Sequence, residues 1–231
     1  PTQGTYVRYD HEAMIGILAL EAHRAGAVVV GEDLGTVEPW ARDYLRERGI
    51  LGTSILWFEF DWDGDGRPLA PEKWREYCLA SVTTHDLPPT AGYLIGDHVR
   101  LRDQLGILTR SLDEELQADE ADRRAWLDNL RDRGALQADG NIDDGNIDYP
   151  SIDNIVEALH RYLTWTPSRL RCLSLADAVG ERQLQNQPGT IDEYPNWRVP
   201  LTGPGGALVM LEDIFTNERT AALARVMGSA R

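Results

Sequence analysis

Residues 27–35, AVVVGEDLG, decide the fold that the sequence predicts. The first four are small or β-branched apolar residues without alternation, which is typical of a parallel strand buried on both faces. Glu32 and Asp33 follow at once, so two carboxylates are expected where the strand ends and its loop begins. That edge of an α/β barrel is where catalytic groups are placed. Carboxylates at this position also fit a cap on the next helix or a pair with an arginine, and the pattern leaves these alternatives open.

Three further segments repeat the arrangement of a strand followed by polar residues. Residues 53–60 and 79–84 are rich in β-branched or aromatic side chains, and His85 and Asp86 stand directly after the second segment. Residues 170–175 form the fourth predicted strand, with Asp177 close behind. The predicted helices cover residues 12–25, 38–48, 71–78, 98–133 with breaks, 151–164 and 217–227.

Four strands separated by helices predict an α/β fold with a parallel sheet. An eight-stranded barrel needs twice that number, so the chain is either a small open sheet or half of a (β/α)8 TIM barrel. The repeated placing of acidic groups after strands favours the half-barrel.

Composition limits the range of partners. The net charge of −15 offers no basic stripe for a nucleic-acid backbone. No signal peptide and no apolar run of membrane-spanning length is visible, so we expect a cytoplasmic protein without a membrane partner. Cys78 and Cys172 stand in apolar segments and are predicted to be buried free thiols. No cofactor is expected.

The carboxylates suggest chemistry on sugars. Glu32 and Asp86 follow separate strands and are expected to converge on one pocket. Glycoside chemistry uses one carboxyl group to protonate the leaving oxygen and another carboxylate to attack or stabilise the oxocarbenium ion. Six aromatic residues that would stack on sugar rings, or else fill the core, are expected nearby: Tyr6, Trp57, Phe58, Tyr93, Tyr194 and Trp197. One of Trp57 and Phe58 must face inward, whereas the loop position of Tyr194 and Trp197 favours a binding surface.

A metal site is not predicted. His85 has no second ligand at fixed spacing, and the other histidines are interpreted as structural or surface residues. The acidic residues of segment 61–72 satisfy the pattern of an EF-hand calcium loop. The preceding run SILWFEF is a strand rather than a helix, so a polar turn is the preferred interpretation and a calcium-binding module the alternative.

Three motifs carry a resemblance to a known family. VVVGEDLGTV, VTTHDLPPTAGY and QLQNQPGTIDEYPNWR, in this order, resemble the 4-α-glucanotransferases (amylomaltase, disproportionating enzyme) of glycoside hydrolase family 77. The resemblance spans essentially the whole chain. It implies a (β/α)8 barrel of the α-amylase clan that acts on α-1,4-glucans and maltooligosaccharides by a retaining double displacement.

The resemblance also implies roles for single residues. Glu32 matches the family's general acid/base, and Asp86 matches its transition-state-stabilising aspartate. His85 would donate hydrogen bonds to sugar hydroxyls, and Phe58 matches an aromatic residue beside the scissile bond. The predicted substrate-binding set is completed by Asp33, Tyr6, Asn186, Pro188 and Trp197.

One part of the family pattern is missing. The family's nucleophile is an aspartate in an Arg-x-Asp-His motif that precedes a GTYV-like segment, and this chain begins just after that point. Asp10, in RYDHE, follows the GTYV segment and is not assigned the role. We therefore predict the C-terminal part of a longer enzyme, inactive alone, whose partner is the missing N-terminal half. The alternatives are an α-glucan hydrolase of the α-amylase clan and a non-catalytic glucan-binding fragment.

Three regions follow from this interpretation. Residues 1–96 would carry barrel strands five to seven with their helices, and residues 97–150 a helical insertion and a flexible loop between the last two strands. Residues 151–231 would supply the last strand, the substrate loop and the C-terminal helix.

Overall fold

A parallel sheet of three short strands lies at the centre of the described structure, a computed structural model that covers residues 4–5, 7–136 and 149–229. The strands are β1 (Gly52–Ile55), β2 (Cys78–Ser81) and β3 (Leu170–Cys172), in the spatial order β1-β2-β3. Both pairings are parallel, with Gly52 opposite Cys78 and Leu79 opposite Leu170. The predicted α/β class with parallel strands is therefore confirmed.

Helices connect and cover the strands. Short 3₁₀ turns occupy Leu56–Phe58 and Pro71–Lys73. The α-helices are α1 (His11–Ala25), α2 (Pro39–Glu47), α3 (Thr90–Leu94), α4 (Asp97–Gln104), α5 (Leu112–Asp132), α6 (Tyr149–Thr164), α7 (Leu175–Val179), α8 (Leu211–Ile214) and α9 (Glu218–Gly228). No helix among the described residues is both long and apolar enough to cross a membrane.

The first predicted strand differs from the expectation. Residues 27–30 form only one parallel bridge, between Val30 and Leu51, and Val28 is 64% exposed. The Val-rich run was predicted to be buried on both faces, and that prediction was wrong. The Val-rich run lies at the outer edge of the described sheet. It therefore contacts β1 on one side only.

The other strands are shorter than predicted. Segment 53–60 leaves the sheet at Leu56, where the 3₁₀ turn begins, and segment 170–175 leaves it after Cys172. Ser174 then caps α7 by accepting a hydrogen bond from the backbone N–H of Asp177, so Asp177 lies inside a helix. Helix α6 begins at Tyr149, before the predicted cap at Ser151. Cys78 is buried as expected, but Cys172 is exposed.

The hydrophobic core lies between the sheet and the long helices. Ala80 and Val82, in and just after β2, belong to one cluster with apolar side chains of α5 and α6. Trp126 of α5 meets Tyr162 of α6 edge to face, with ring centroids 5.4 Å apart. The Tyr162 hydroxyl donates a hydrogen bond of 2.7 Å to the carbonyl oxygen of Leu69, so this buried polar group is satisfied.

Helix α1 has the predicted ends, but its apolar side chains are exposed. Asp10 caps its first turn, and Gly26 ends it in the left-handed conformation. None of its fifteen described residues is buried, and several large apolar side chains are exposed: Met14, Ile17, Leu18 and Leu20. An apolar helix face of this extent is typical of a surface that another chain segment covers.

Two distant segments are clamped together beside the sheet. The Asp177 carboxylate accepts hydrogen bonds from the backbone N–H of Thr90 (2.7 Å) and from its hydroxyl (2.8 Å), and both residues are buried. Gly92 packs directly against the backbone of Arg182. The Arg182 side chain forms an ion pair of 2.7 Å with Asp97. The clamp therefore joins α3 and the start of α4 to the segment that follows β3.

Gly92→Ala is expected to destabilise the protein, because a β-carbon on Gly92 would overlap the carbonyl oxygen of Arg182. Relief requires backbone movement in the clamp, which typically costs about 1–3 kcal/mol. Gly16→Ala in α1 is the matched control, since a β-carbon there meets nothing within 4 Å. Urea unfolding followed by tryptophan fluorescence measures both variants. Equal unfolding midpoints for the two variants would contradict this description of the clamp.

Candidate active site

Asp86 lies in the loop between β2 and α3 and is held by a residue 100 positions away. The side-chain amide of Asn186 donates a hydrogen bond of 2.7 Å to one carboxylate oxygen of Asp86. The Nε2 atom of His85 lies 3.5 Å from the same oxygen. Both His85 and Asp86 remain about half exposed. The structure thus brings together three predicted site residues and leaves them open to a ligand.

The loop that carries Asn186 is ordered around a buried carboxylate. Glu181, 1% exposed, accepts hydrogen bonds from the backbone N–H and the hydroxyl of Thr202 and from two backbone N–H groups of its own segment. The Tyr194 hydroxyl donates to the Leu184 carbonyl oxygen, and its ring is buried. Tyr194 was predicted to favour a binding surface, and that prediction was wrong because the hydroxyl anchors the loop from within.

Trp197 has the opposite placement in the same loop. Its side chain is exposed, and its ring centroid lies 5.1 Å from that of His85. Its backbone has φ of 60°, the one positive value at a described non-glycine residue. Such a conformation costs on the order of 1–3 kcal/mol and recurs at functional sites. The exposed, strained tryptophan beside His85 is consistent with its predicted binding role.

A cleft of about 630 Å³ opens next to Asp86, and Phe58 and Pro188 line it as well. The alternative between Trp57 and Phe58 is decided by the 3₁₀ turn that holds both residues. Trp57 is 8% exposed and belongs to the core, whereas Phe58 is 50% exposed and faces the cleft. Phe58, Asp86 and Pro188 therefore share one cavity.

Asp33 is engaged by the protein itself. Its carboxylate forms ion pairs with Arg75 (2.5 Å) and Arg42 (3.3 Å) and accepts a hydrogen bond of 2.8 Å from the backbone N–H of Thr53. The carboxylate also lies so close over Gly52 that a β-carbon there would meet it at 2.8 Å. The sequence left three roles open for Glu32 and Asp33: catalysis, a helix cap and an ion pair with an arginine. Asp33 forms the ion pair.

The same environment changes two pKa values. Burial acts to raise the pKa of Asp33, but the Thr53 N–H and the Arg75 guanidinium outweigh it, so the pKa lies below its ordinary value. Glu59 stands directly after Phe58, and burial raises its pKa despite a hydrogen bond from Ser54 and the nearby positive charge of Arg75. The pKa values of the two carboxyl groups are therefore shifted in opposite directions.

Glu32 is exposed in the loop after Val30 and makes no ion pair or hydrogen bond within residues 4–5, 7–136 and 149–229. Its neighbour Asp33 lies over Gly52 and toward α2. Glu32 is not among the residues that line the cleft beside Asp86, and the convergence of these two carboxylates stays a prediction.

The remaining predictions concern Tyr6 and the acidic segment 61–72. Tyr6 and residues 137–148 of the predicted loop lie outside the described residues. Segment 61–72 contains a tight turn closed by an antiparallel bridge between Phe60 and Pro68, and the Asp61 carboxylate pairs with Lys73 at 2.7 Å. Among the described residues, no group of three or more His, Cys, Asp or Glu is arranged to hold a metal ion.

Sequence reasoning missed the far side of the cleft. His98 was interpreted as a residue without a partner, but its Nε2 atom lies 3.0 Å from an Asp119 carboxylate oxygen and its ring stacks on Tyr93. His98, Tyr93 and Asp119 line the same cleft as Asp86. Tyr93 was one of the aromatic residues expected near the site. No shared motif joins it to His98 and Asp119, because the packing of α3, α4 and α5 brings the three together.

The fold and the site define a class of protein. The fold has a parallel sheet, and Asp86 lines an open cleft with His85 and Asn186 beside it, which is typical of α/β enzymes. A family model described as 4-alpha-glucanotransferase, glycoside hydrolase family 77, matches residues 1–204. The chain belongs to this family.

Individual relatives agree with this assignment. The chain is 66% identical over 232 residues to a 4-alpha-glucanotransferase of Mycobacterium tuberculosis. This alignment covers 100% of the chain and 31% of the relative. It is 30% identical to a 4-alpha-glucanotransferase of Haemophilus influenzae, over 93% of the chain and 29% of the relative. The chain therefore spans about a third of the length of these curated relatives.

The structure is similar to a solved amylomaltase. The crystal structure of amylomaltase from Corynebacterium glutamicum superposes with a TM-score of 0.90 and 47% identity, over 97% of this chain and 32% of that one. An amylomaltase from Streptococcus agalactiae in complex with acarbose has a TM-score of 0.60 at 17% identity, which supports the fold alone.

Proposed function

We propose that the chain is the C-terminal part of a 4-α-glucanotransferase that moves α-1,4-glucan segments between maltooligosaccharides. The observation that carries this proposal is the cluster at the cleft. Asn186 holds Asp86, His85 lies beside it, and Phe58 lines the same cavity. All four are residues that the family resemblance selected for the site. Membership of the 4-alpha-glucanotransferase family supports the assignment.

In the proposed mechanism, each residue acts on a different part of the bound sugar. Asp86 stabilises the positive charge of the oxocarbenium ion, and His85 donates a hydrogen bond to a hydroxyl of the same ring. Phe58, Pro188 and Trp197 contact apolar faces of the glucan, while Asn186 holds the Asp86 carboxylate in position. Glu32 protonates the leaving oxygen and later removes the proton from the incoming acceptor.

Asp33 has a different part in this proposal. Because its carboxylate is already engaged by Arg75, Arg42 and Thr53, we assign it to positioning Glu32 rather than to contacting the glucan. The retaining reaction also needs a carboxylate nucleophile that forms the glycosyl-enzyme intermediate. We infer that this nucleophile belongs to the N-terminal remainder of the protein, and that this chain alone does not turn over.

The proposed architecture is the C-terminal half of a (β/α)8 barrel. Residues 1–96 would hold strands five to seven, residues 97–150 a helical insertion with its loop, and residues 151–231 the last strand and the substrate loop. The exposed faces of α1 and of Val28 support this, because they offer apolar surface for the N-terminal half to cover. Relatives about three times as long have enough chain to do so.

Incubation of the full-length protein with maltotriose tests the proposed function. Transfer is expected to yield glucose together with maltooligosaccharides longer than the substrate, with the number of reducing ends constant. Chromatography of the products and a reducing-end assay measure the two quantities. Rising reducing ends without elongation would replace the transferase with an α-glucan hydrolase.

The chain alone provides the second arm of this experiment. It is expected to be slowed by glucan in native gels, because Phe58 and Trp197 are exposed beside the cleft, yet to form no product. Product formation by the isolated chain would contradict the proposed location of the nucleophile.

A further inference from the structure

Asn186 is held from both sides by two consecutive residues that lie ten positions further along the same loop. The backbone N–H of Trp197 donates a hydrogen bond of 2.8 Å to the carbonyl oxygen of Gln185. The side-chain oxygen of Asn196 accepts a hydrogen bond of 2.7 Å from the backbone N–H of Gln187. One bond therefore fixes the residue before Asn186, and the other fixes the residue after it.

The side-chain amide of Asn196 has a partner on each of its two polar atoms. Its Nδ2 atom donates a hydrogen bond of 2.9 Å to the hydroxyl oxygen of Thr190, while its Oδ1 atom faces the Gln187 N–H. The Thr190 hydroxyl in turn donates a hydrogen bond of 2.7 Å to the Gln187 carbonyl oxygen. Three hydrogen bonds thus link Asn196, Gln187 and Thr190 in a closed set, directly after Asn186 in the chain.

The position of Asn186 depends on such bonds because its loop has little regular structure. Between the end of α7 and the start of α8, the described chain forms no helix and no strand longer than a single bridge. Fixing one residue of an irregular segment costs on the order of 1–2 kcal/mol of conformational entropy. The contact of 2.7 Å between Asn186 and Asp86 therefore requires that other interactions order the loop first.

Asn196 and Trp197 contribute to the site in separable ways. Trp197 is joined to the loop through its backbone N–H, and its ring lies beside His85. Asn196 is joined to the loop through its side chain, and it is not among the residues that line the cleft beside Asp86. Removal of the Asn196 amide therefore releases Asn186 on one side but leaves the hydrogen bond of Trp197 in place.

We infer that Asn196 is a positioning residue for the transfer reaction: it fixes Gln187, and through Gln187 it holds the Asn186 amide against Asp86. The inference rests on the proposed function, since it takes Asp86 as the group that stabilises the oxocarbenium ion. A charge that stabilises a transition state is effective only when it is held in place before the reaction. Asn196 thus acts on the rate of the chemical step without touching the glucan.

Asn196→Ala in the full-length protein tests the inference with maltotriose as substrate. We expect kcat to fall about three- to tenfold, the effect of one lost hydrogen bond, and KM to change less than about twofold. Asn196→Asp retains the oxygen that accepts from Gln187, so its kcat should stay within about twofold of the wild-type value. Gln183→Ala is the matched control, because Gln183 is an exposed amide of the same loop whose side chain makes no hydrogen bond with a described residue.

A double-mutant cycle separates positioning from a general structural role. If Asn196 acts through Asn186, then Asn196→Ala should lower kcat by less than about twofold in a protein that already carries Asn186→Ala. Thermal melting checks that each variant is folded, and Asn196→Leu, which keeps nearly the volume of asparagine, replaces Asn196→Ala if the latter is unfolded.

Several results would overturn the inference while the proposed function stands. An equal fall in kcat with and without Asn186 shows that Asn196 acts independently of it. A raised KM at unchanged kcat indicates a contact with the substrate, and an Asn196→Asp variant as slow as Asn196→Ala excludes the bond to Gln187. An unchanged kcat in Asn196→Ala also rejects the inference. If the wild-type protein transfers nothing, the proposed function fails and the inference fails with it.

Discussion

Glu32→Gln in the full-length protein is expected to reduce glucan transfer by about 10²–10⁴-fold, the usual contribution of a general acid/base. The amide has nearly the same shape as the carboxyl group but has no proton to give to the leaving oxygen. Glu32 is exposed and makes no hydrogen bond or ion pair with a described residue, so the substitution should not alter folding. Initial rates of maltotriose disproportionation measure the loss.

Glu47→Gln is the matched control, because Glu47 is an exposed carboxyl group at the end of α2. Its rate should equal that of the wild type. A donor whose leaving group needs no protonation, such as a nitrophenyl maltooligosaccharide, separates acid catalysis from binding. The Glu32→Gln variant should recover most of the first step with that donor. If the Glu32→Gln variant keeps the wild-type rate of transfer on natural glucans, Glu32 is not the acid.

The largest expected effect on stability comes from Arg75. Arg75→Gln leaves the buried Asp33 carboxylate without its shortest partner, and breaking a buried pair costs about 3–5 kcal/mol. Arg42 still lies 3.3 Å from the carboxylate, and the Arg75 side chain is 38% exposed, so we expect about 2–3 kcal/mol. Urea unfolding at pH 7 measures the change. Arg24→Gln, which breaks an exposed pair on α1, is the control and should cost almost nothing.

The pH dependence of stability should change with the same variant. The pKa of Asp33 is lowered in the folded protein, so its stabilising contribution is complete above the unfolded value of about 3.9 and is lost as the pH falls through the folded value. Without Arg75 the pKa is less depressed, so a smaller part of the stability is lost below about pH 4. Identical acid-unfolding curves for the wild type and Arg75→Gln would contradict the role assigned to this ion pair.

Much of the site was predictable because it depends on short motifs. His85 and Asp86 were expected after a strand, and they follow β2. The resemblance also pointed to Asn186 and Pro188, and the structure brings Asn186 to within 2.7 Å of Asp86. The motifs could not predict that contact itself, because it joins residues 100 positions apart. Thr90 lies in the second motif, but Asp177, the residue that holds it, lies outside all three.

Other assignments failed for identifiable reasons. A Val-rich run predicts burial only if another layer covers it, and Val28 lies at an edge of the described structure. Tyr194 stands in a loop of polar and glycine residues, yet its hydroxyl finds the Leu184 carbonyl oxygen inside that loop. Local composition does not reveal such a contact, because it reports the average environment of a segment and not the direction of one side chain.

The sequence by itself determined the family, the α/β class with parallel strands, the ends of α1 and the residue types of the site. These features depend on motifs, on hydrophobic period and on capping residues, all of which act over a few positions. Only the tertiary structure decided that Asp33 meets arginines, that Phe58 faces the cleft while Trp57 fills the core, and that His98 pairs with Asp119. Those outcomes depend on which surfaces pack together across long stretches of chain, and no local pattern encodes that choice.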